Sequence, residues 1–565
     1  MLKRPDTQQV LRFFRLCLLV LAGLYLYSVV MANRGGFASE FLYRQWLEIG
    51  FVIYLYALLY VIQRPGKGRA LLAAVPIFLI YMVHDVFYLI YGKVFRFINL
   101  AEVPELLQVV PLSYAILLVV IFVLPMLLII CRVNYRQPLL IMLALSPLIV
   151  LTVMIESSPT AFANSFKSVA NEIVKYSDGK SVENNGRLAM LMYREAQRSA
   201  TLDKIAPFRD REHYEQQAAQ RVASIQSHLK PRNVHLIVLE SFLDPRLFKD
   251  LKFSQPPVHP DFEKRFGDKL GLSISPVFGG ATAQAEFEVL CGVPAFEKLS
   301  SVEFNVFTGS AAHCLPGILS DLHYRTIASN AYKPNFFNAI PGYEGMGFKE
   351  LQFPVEFYSA APSYLHFGDP GVEEYLFDDD LLSQNLAFVK AHLQEHPDQP
   401  MLNYMMTIYG HTPHLLDPVK RPEIIQTTAP YADDHLQRSA NQFYYRTQAL
   451  AHYVEQLIAL DKNSLIILIS DHVPPLRNGP NTFNALHYMN DVEHGMYYNR
   501  VAIIENGQAV KYAPIHHYEL PDVVLNYLTA GEHCQTHACA HLGKTTSTRE
   551  ARLDDYLTLM AHASE

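Results

Sequence analysis

The sequence predicts a bundle of five membrane-spanning helices followed by an α/β domain. Three observations carry this. The first 156 residues hold five long apolar stretches, the residues after about 232 hold short apolar runs separated by helical segments, and a polar stretch lies between. The 565 residues are 50% apolar and 18% charged, with a net charge of -7. That composition excludes intrinsic disorder, a collagen-like chain and a small disulfide scaffold. It offers nucleic acid no basic face. The six cysteines form no metal-finger pattern.

The apolar stretches come in order. Leu16–Asn33 is 18 residues without a charge, and a second runs from about Leu42 to Gln63 with Glu48 near its start. A third covers about Ala70 to Tyr91, Leu106–Cys131 is 26 uncharged residues and Gln137–Ile155 is 19. Such lengths suit a hydrocarbon core of about 30 Å. The first is too long, and lacks the cleavage site, for a removed signal peptide. Lys3, Arg4, Arg12, Arg15, Arg64, Lys67, Arg69, Arg132 and Arg136 fall on one side of the five crossings, against Arg34, Arg44, Lys93 and Arg96 on the other. Nine against four puts the N-terminus in the cytoplasm and everything after Glu156 outside. The expected setting is a multi-pass inner (cytoplasmic) membrane protein with its second half periplasmic, or on the outer face of a Gram-positive cell. His84 and Asp85 interrupt the third stretch and read either as a site at membrane depth or as a polar contact to a neighbouring helix.

Residues 157–232 form a junction between the bundle (1–156) and the outer domain (233–565). It is polar, carries a turn signal at Ser177-Asp178-Gly179, and has helical spacing over Arg187–Ala200.

In the outer domain Val234–Leu239, Arg325–Ser329, Met401–Ile408, Leu465–Ile469 and Val501–Ile504 read as strands buried on both faces. Ligands in open α/β sheets bind beyond the C-terminal strand ends. Here those ends lead to Glu240, Asn330, His411 and Asp471-His472. Glu240, Asp471 and His472 offer oxygen and nitrogen ligands for a divalent ion. Any one alone reads as a helix cap or a satisfied polar residue; together, as a buried charge cluster, they ask for a metal. Gly279-Gly280 precede a run of helix formers starting at Thr282, which places that hydroxyl at a helix N-terminus, where anions are favoured. The plain alternative is an N-cap threonine.

These pieces together resemble the lipoteichoic acid synthase and phosphoglycerol transferase family, with its sulfatase-like domain, in the alkaline phosphatase superfamily. The matching segments are Leu239-Glu240-Ser241-Phe242, Gly279 to Thr282 with Glu286-Phe287, Gly410-His411-Thr412-Pro413 and Ser470-Asp471-His472, in the family's order. The resemblance implies metal ligation by Glu240, Thr282, Asp471 and His472, with Thr282 the nucleophile. His411 would hold the phosphate or protonate the leaving group. One divalent ion is expected, Mn2+ first, with Zn2+ or Mg2+ as alternatives. The implied reaction moves a phospholipid head group, phosphoglycerol or phosphoethanolamine, through phospho-Thr282 to an envelope glycan or lipid-linked acceptor. A phosphodiesterase, phospholipase C-like or sulfatase-like hydrolase is the alternative.

Where the family's polymerising members carry a His, an acid and an Arg, this chain has Asn330, Tyr332, Phe336-Phe337-Asn338 and Ala339, with Tyr343 beyond. Without an Arg fork for a second phosphate, transfer of single groups is expected rather than polymerisation. Asn330, Phe337, Tyr343, His411 and, by its place after Asp471-His472, His487 are the expected substrate contacts. An arylsulfatase needs Cys or Ser in C/S-x-P-x-R, which Cys291-Gly292-Val293-Pro294-Ala295 does not supply. An oxidising compartment favours a Cys534–Cys539 disulfide over a Cys/His metal cluster there; Cys291 with Cys314 is a further possible pair.

Overall fold

The computed structural model describes residues 7–37, 44–91, 94–173, 178–359, 362–428 and 433–565. Lys3, Arg4, Leu42, Lys93 and Ser177, used above, lie outside the described residues. The chain divides into two compact units, Met1–Lys204 and Ile205–Glu565. The junction expected over 157–232 is therefore shared: residues up to Lys204 pack with the first unit, and the helix Arg211–Gln226 opens the second.

Each apolar stretch of the first unit forms a helix: α1 (Thr7–Ala32), α2 (Trp46–Ile62), α3 (Arg69–Tyr91), α4 (Leu112–Arg132) and α5 (Pro138–Ser157). By length and composition α1, α3, α4 and α5 qualify as membrane spans, four rather than the five expected; α2 is a shorter apolar helix of 17 residues. The fourth span also starts later than expected. Pro111 pushes Val110 into an extended conformation (ψ 144°), so Val103–Val109 is a separate short helix and α4 begins at Leu112.

Asp85 makes a polar contact to a neighbour, the second of its two sequence readings. The junction helix α6 (Arg187–Lys204) starts against it: Arg187 Nη2 donates to both Asp85 carboxylate oxygens at 2.7 and 2.9 Å. Glu48 caps the same helix from α2, accepting the N–H groups of Leu188 (3.1 Å) and Ala189 (2.9 Å) and the Tyr81 hydroxyl (2.6 Å). Gly186 has φ +98°, and a Cβ there would collide with the Glu48 side chain, so only glycine lets that carboxylate approach.

The second unit is built on a sheet of nine strands among the described residues: β1 (Val234–Leu239), β2 (Gly271–Ile274), β3 (Arg325–Asn330), β4 (Glu350–Gln352), β5 (Met401–Met406), β6 (Leu465–Ser470), β7 (Tyr498–Glu505), β8 (Gln508–Val510) and β9 (Ile515–His516). Their order is β9-β2-β7-β6-β1-β5-β3-β4, with β8 a hairpin partner of β7. Strands β6, β1, β5, β3 and β4 run parallel, while β7 is antiparallel to β6 and β2. Every residue of β1, β5 and β6 is buried, as their continuous apolar sequences require. Val234, Leu236 and Val238 join a core with Phe287 and Leu290 of helix α7 (Thr282–Cys291). Ile237 and Leu239 face the other way, toward Leu381 and Val389 of α8 (Asp378–Glu395) and Leu450 and Val454 of α9 (Asp434–Leu460). The helices therefore cover both faces, leaving the C-terminal strand ends as the place where polar side chains converge.

Candidate active site

Glu240 follows β1 and Asp471-His472 follow the adjacent β6, so parallel register brings them together: one ligand atom from each lies within 4.8 Å of the others. Thr282 is the first residue of α7, reached through Gly279 (φ +72°), Gly280 (φ +152°) and Ala281 (φ +61°). Gly279 packs against Pro475, and the left-handed turn delivers the hydroxyl into the cluster. Thr282 Oγ1 donates to Glu240 Oε2 at 3.1 Å and lies 3.3 Å from His472 Nε2.

Most of the other polar atoms of the cluster already have partners. Asp471 Oδ1 accepts the N–H groups of Ser241 (2.7 Å) and His472 (2.6 Å), and Glu240 Oε1 accepts the Ser241 hydroxyl (2.8 Å). His472 Nδ1 lies 3.0 Å from the Val473 carbonyl, which only accepts, so Nδ1 carries the proton and Nε2 presents a lone pair. Asp471 Oδ2 is buried, has no hydrogen-bond partner, and sits 3.2 Å from His472 Nε2. Burial pushes the Asp471 carboxyl up to about 7, and burial followed by the Asp471 charge raises Glu240. An orphaned carboxylate oxygen, a second carboxylate, an imidazole lone pair and a hydroxyl fit a divalent cation.

The other expected residues fall differently. His411 is half-buried, with Nδ1 2.9 Å from the Thr412 carbonyl and its ring 5.0 Å from that of Tyr375. Tyr343 is 0% exposed, so it reaches the site indirectly rather than by touching a ligand. Its hydroxyl donates to Glu286 at 2.5 Å and accepts from Asn330 Nδ2 at 2.9 Å. Asn330 Oδ1 accepts the Tyr332 N–H. Phe337 packs its ring against Phe336, centroids 4.5 Å apart, at the margin of the core. His487 lies against two carboxylates, Asp491 at 2.7 Å and Asp250 at 3.6 Å. Sequence reasoning missed Ser241, which ties Glu240 to Asp471, and Arg446, a charge on the apolar stripe of α9. The stripe was the readable sign of the latter. Both disulfides form, Cys291–Cys314 and Cys534–Cys539.

The sulfatase family's sequence pattern matches residues 232–528, more than half of the chain. The chain belongs to the sulfatase family. Within this family member the bonded Cys291 ends α7, at the opposite end from Thr282, so it is not at the cluster. An uncharacterized protein of Haemophilus influenzae is 27% identical over 197 residues, 34% of each chain. A protein of Rhizobium meliloti named "Putative cyclic beta-1,2-glucan modification protein" is 22% identical over 269 residues, 47% of this chain and 39% of that one. The chain thus spans little more than a third of the length of these relatives. The solved Streptococcus pyogenes phosphoglycerol transferase GacH, in complex with sn-glycerol-1-phosphate, is 18% identical, covers 64% of this chain and 92% of its own, and gives a TM-score of 0.46.

Proposed function

We propose that the protein is a metal-dependent, membrane-anchored phosphotransferase that passes a phospholipid head group through phospho-Thr282 to a glycan or lipid-linked acceptor. The observation that carries this is the Thr282 hydroxyl at a helix N-terminus, within hydrogen-bond reach of Glu240 and His472 and beside the orphaned Asp471 oxygen. Glu240, Asp471, His472 and Thr282 would hold one divalent ion, Mn2+ in this proposal. Such an ion offsets charge on the phosphoryl oxygens and lowers the pKa of the attacking hydroxyl.

Thr282 Oγ1 attacks phosphorus, the bond from phosphorus to the diacylglycerol oxygen breaks, and that oxygen takes a proton. Glu240 Oε2, already accepting from Oγ1, orients the hydroxyl, and the N-terminal end of α7, which Thr282 opens, would favour the phosphate's negative charge. His411 is the group we assign to move the proton to the leaving oxygen. An acceptor hydroxyl then attacks the same phosphorus, the bond from phosphorus to Thr282 Oγ1 breaks, and Oγ1 takes up the proton that the acceptor gives up. The name of the Rhizobium relative makes a β-1,2-glucan the first acceptor to try.

The test uses the full chain in detergent with Mn2+, wild type and Thr282→Ala, given fluorescent phosphatidylglycerol or phosphatidylethanolamine with and without glucan. Diacylglycerol release by the wild type alone, increased by glucan and accompanied by labelled glucan, is the expected result. Release without transfer identifies a hydrolase. Equal release by Thr282→Ala removes Thr282 from the chemistry.

A further inference from the structure

Arg446 lies on α9 between Phe443 and Leu450, on the stripe that packs against the sheet, and is 2% exposed. Each of its three guanidinium nitrogens has a partner. Nε donates to Asp378 Oδ2 at 2.7 Å, Nη1 donates to the Glu240 carbonyl at 2.8 Å, and Nη2 lies 3.4 Å from Thr407 Oγ1. Thr407 Oγ1 in turn accepts the Glu240 N–H at 3.0 Å. One cluster therefore holds both backbone polar groups of Glu240. Gly410, in the loop that carries His411, closes it: a Cβ there would collide with the Glu240 carbonyl oxygen and with Arg446 Nη1. The loop can approach this closely only because residue 410 has no side chain.

We propose that Arg446 is a positioning residue, which holds Glu240 and the His411 loop in one fixed register. This rests on the metal reading of the site given above. Stability alone does not ask for an ion pair here, since apolar side chains of similar volume pack as well or better in a core. What an apolar side chain lacks is the fork that reaches Asp378, Glu240 and Thr407 at once. The group fixed is the backbone of a metal ligand, and partners that orient ligands set metal affinity.

The experiment compares full-length wild type, Arg446→Lys and the double variant Asp378→Asn with Arg446→Met, in detergent. Mn2+ affinity by equilibrium dialysis, metal-free Tm, and kcat and KM for diacylglycerol release are read together. The double variant is expected to keep a Tm near wild type while binding Mn2+ about 10- to 100-fold more weakly, with kcat falling more than KM rises. Arg446→Lys, which meets Asp378 but cannot fork, should fall between. A folded double variant with wild-type Mn2+ affinity overturns the proposal. If the double variant does not fold, Arg446→Lys decides: it keeps a charge beside Asp378 but loses the fork to Glu240 and Thr407, and wild-type Mn2+ affinity there overturns the proposal equally. Wild type that binds no divalent ion fails the metal reading itself, a result distinct from either.

Discussion

Glu286 stands one helical turn beyond Thr282, enclosed, with the hydroxyls of Tyr343 and Tyr404 donating to one oxygen at 2.5 and 2.6 Å. Burial outweighs those bonds and pushes its carboxyl from 4.5 up to about 7. A folded-state pKa raised in this way means that the folded protein binds the proton more tightly than the unfolded chain. The stabilisation is then fully present below pH about 4.5 and is lost as pH rises through about 7, a change of about 3 kcal/mol for one group. Glu286→Gln should therefore flatten the fall of metal-free Tm between about pH 4.5 and about pH 7. An unchanged slope in that variant would assign the pH dependence to other groups. Residues such as Glu240, Thr282, Asp471 and His472 were legible in the sequence because each ends or begins an element whose apolar pattern is plain. The role of Glu286 and the enclosure of Tyr343 were not, because both depend on side chains from α7, β5 and the helix Ala339–Met346 meeting across the core.

At the scale of elements, legibility followed burial. Strands β1, β5 and β6, buried on both faces, show as unbroken apolar runs, while β2, β4, β8 and β9 have two to four residues each and leave no pattern to read. In the first unit the start of α6 was legible as spacing, but its fastening was not. Arg187 meets Asp85 across 102 residues and Leu188 meets Glu48 across 140. Both charges of the Arg187–Asp85 pair are buried, at 1% and 0% exposure. Asp85→Asn leaves the guanidinium enclosed without its counter-charge, a change that costs about 3–5 kcal/mol. We expect a lower Tm of the full chain in detergent, with the largest rise in hydrogen exchange over Arg187–Lys204. Wild-type exchange over that helix would show that Asp85 does not hold it.

For the whole molecule, the number of crossings links the two units. By length, α1, α3, α4 and α5 qualify as spans, and an even number returns the chain to the side on which it began. Two disulfides in the second unit belong to an oxidising compartment. Nine Lys and Arg against four favour a cytoplasmic N-terminus. These hold together only if α2 crosses as well. At 17 residues it is about 26 Å long, a shortfall that local thinning of the bilayer accommodates. Cys131, a free and exposed cysteine at the end of α4, separates the two cases. With five crossings α4 ends on the cytoplasmic side; if α2 does not cross, it ends outside. A membrane-impermeant maleimide should then label Cys131 in inside-out vesicles and not in right-side-out ones, with Cys131→Ser removing the signal. Cys17 is buried and the other four cysteines are bonded, so the label reports one position. Labelling in right-side-out vesicles instead would place α2 on the membrane surface if the N-terminus is cytoplasmic and, because α5 crosses after Cys131, would put the second unit and its disulfides on the cytoplasmic side.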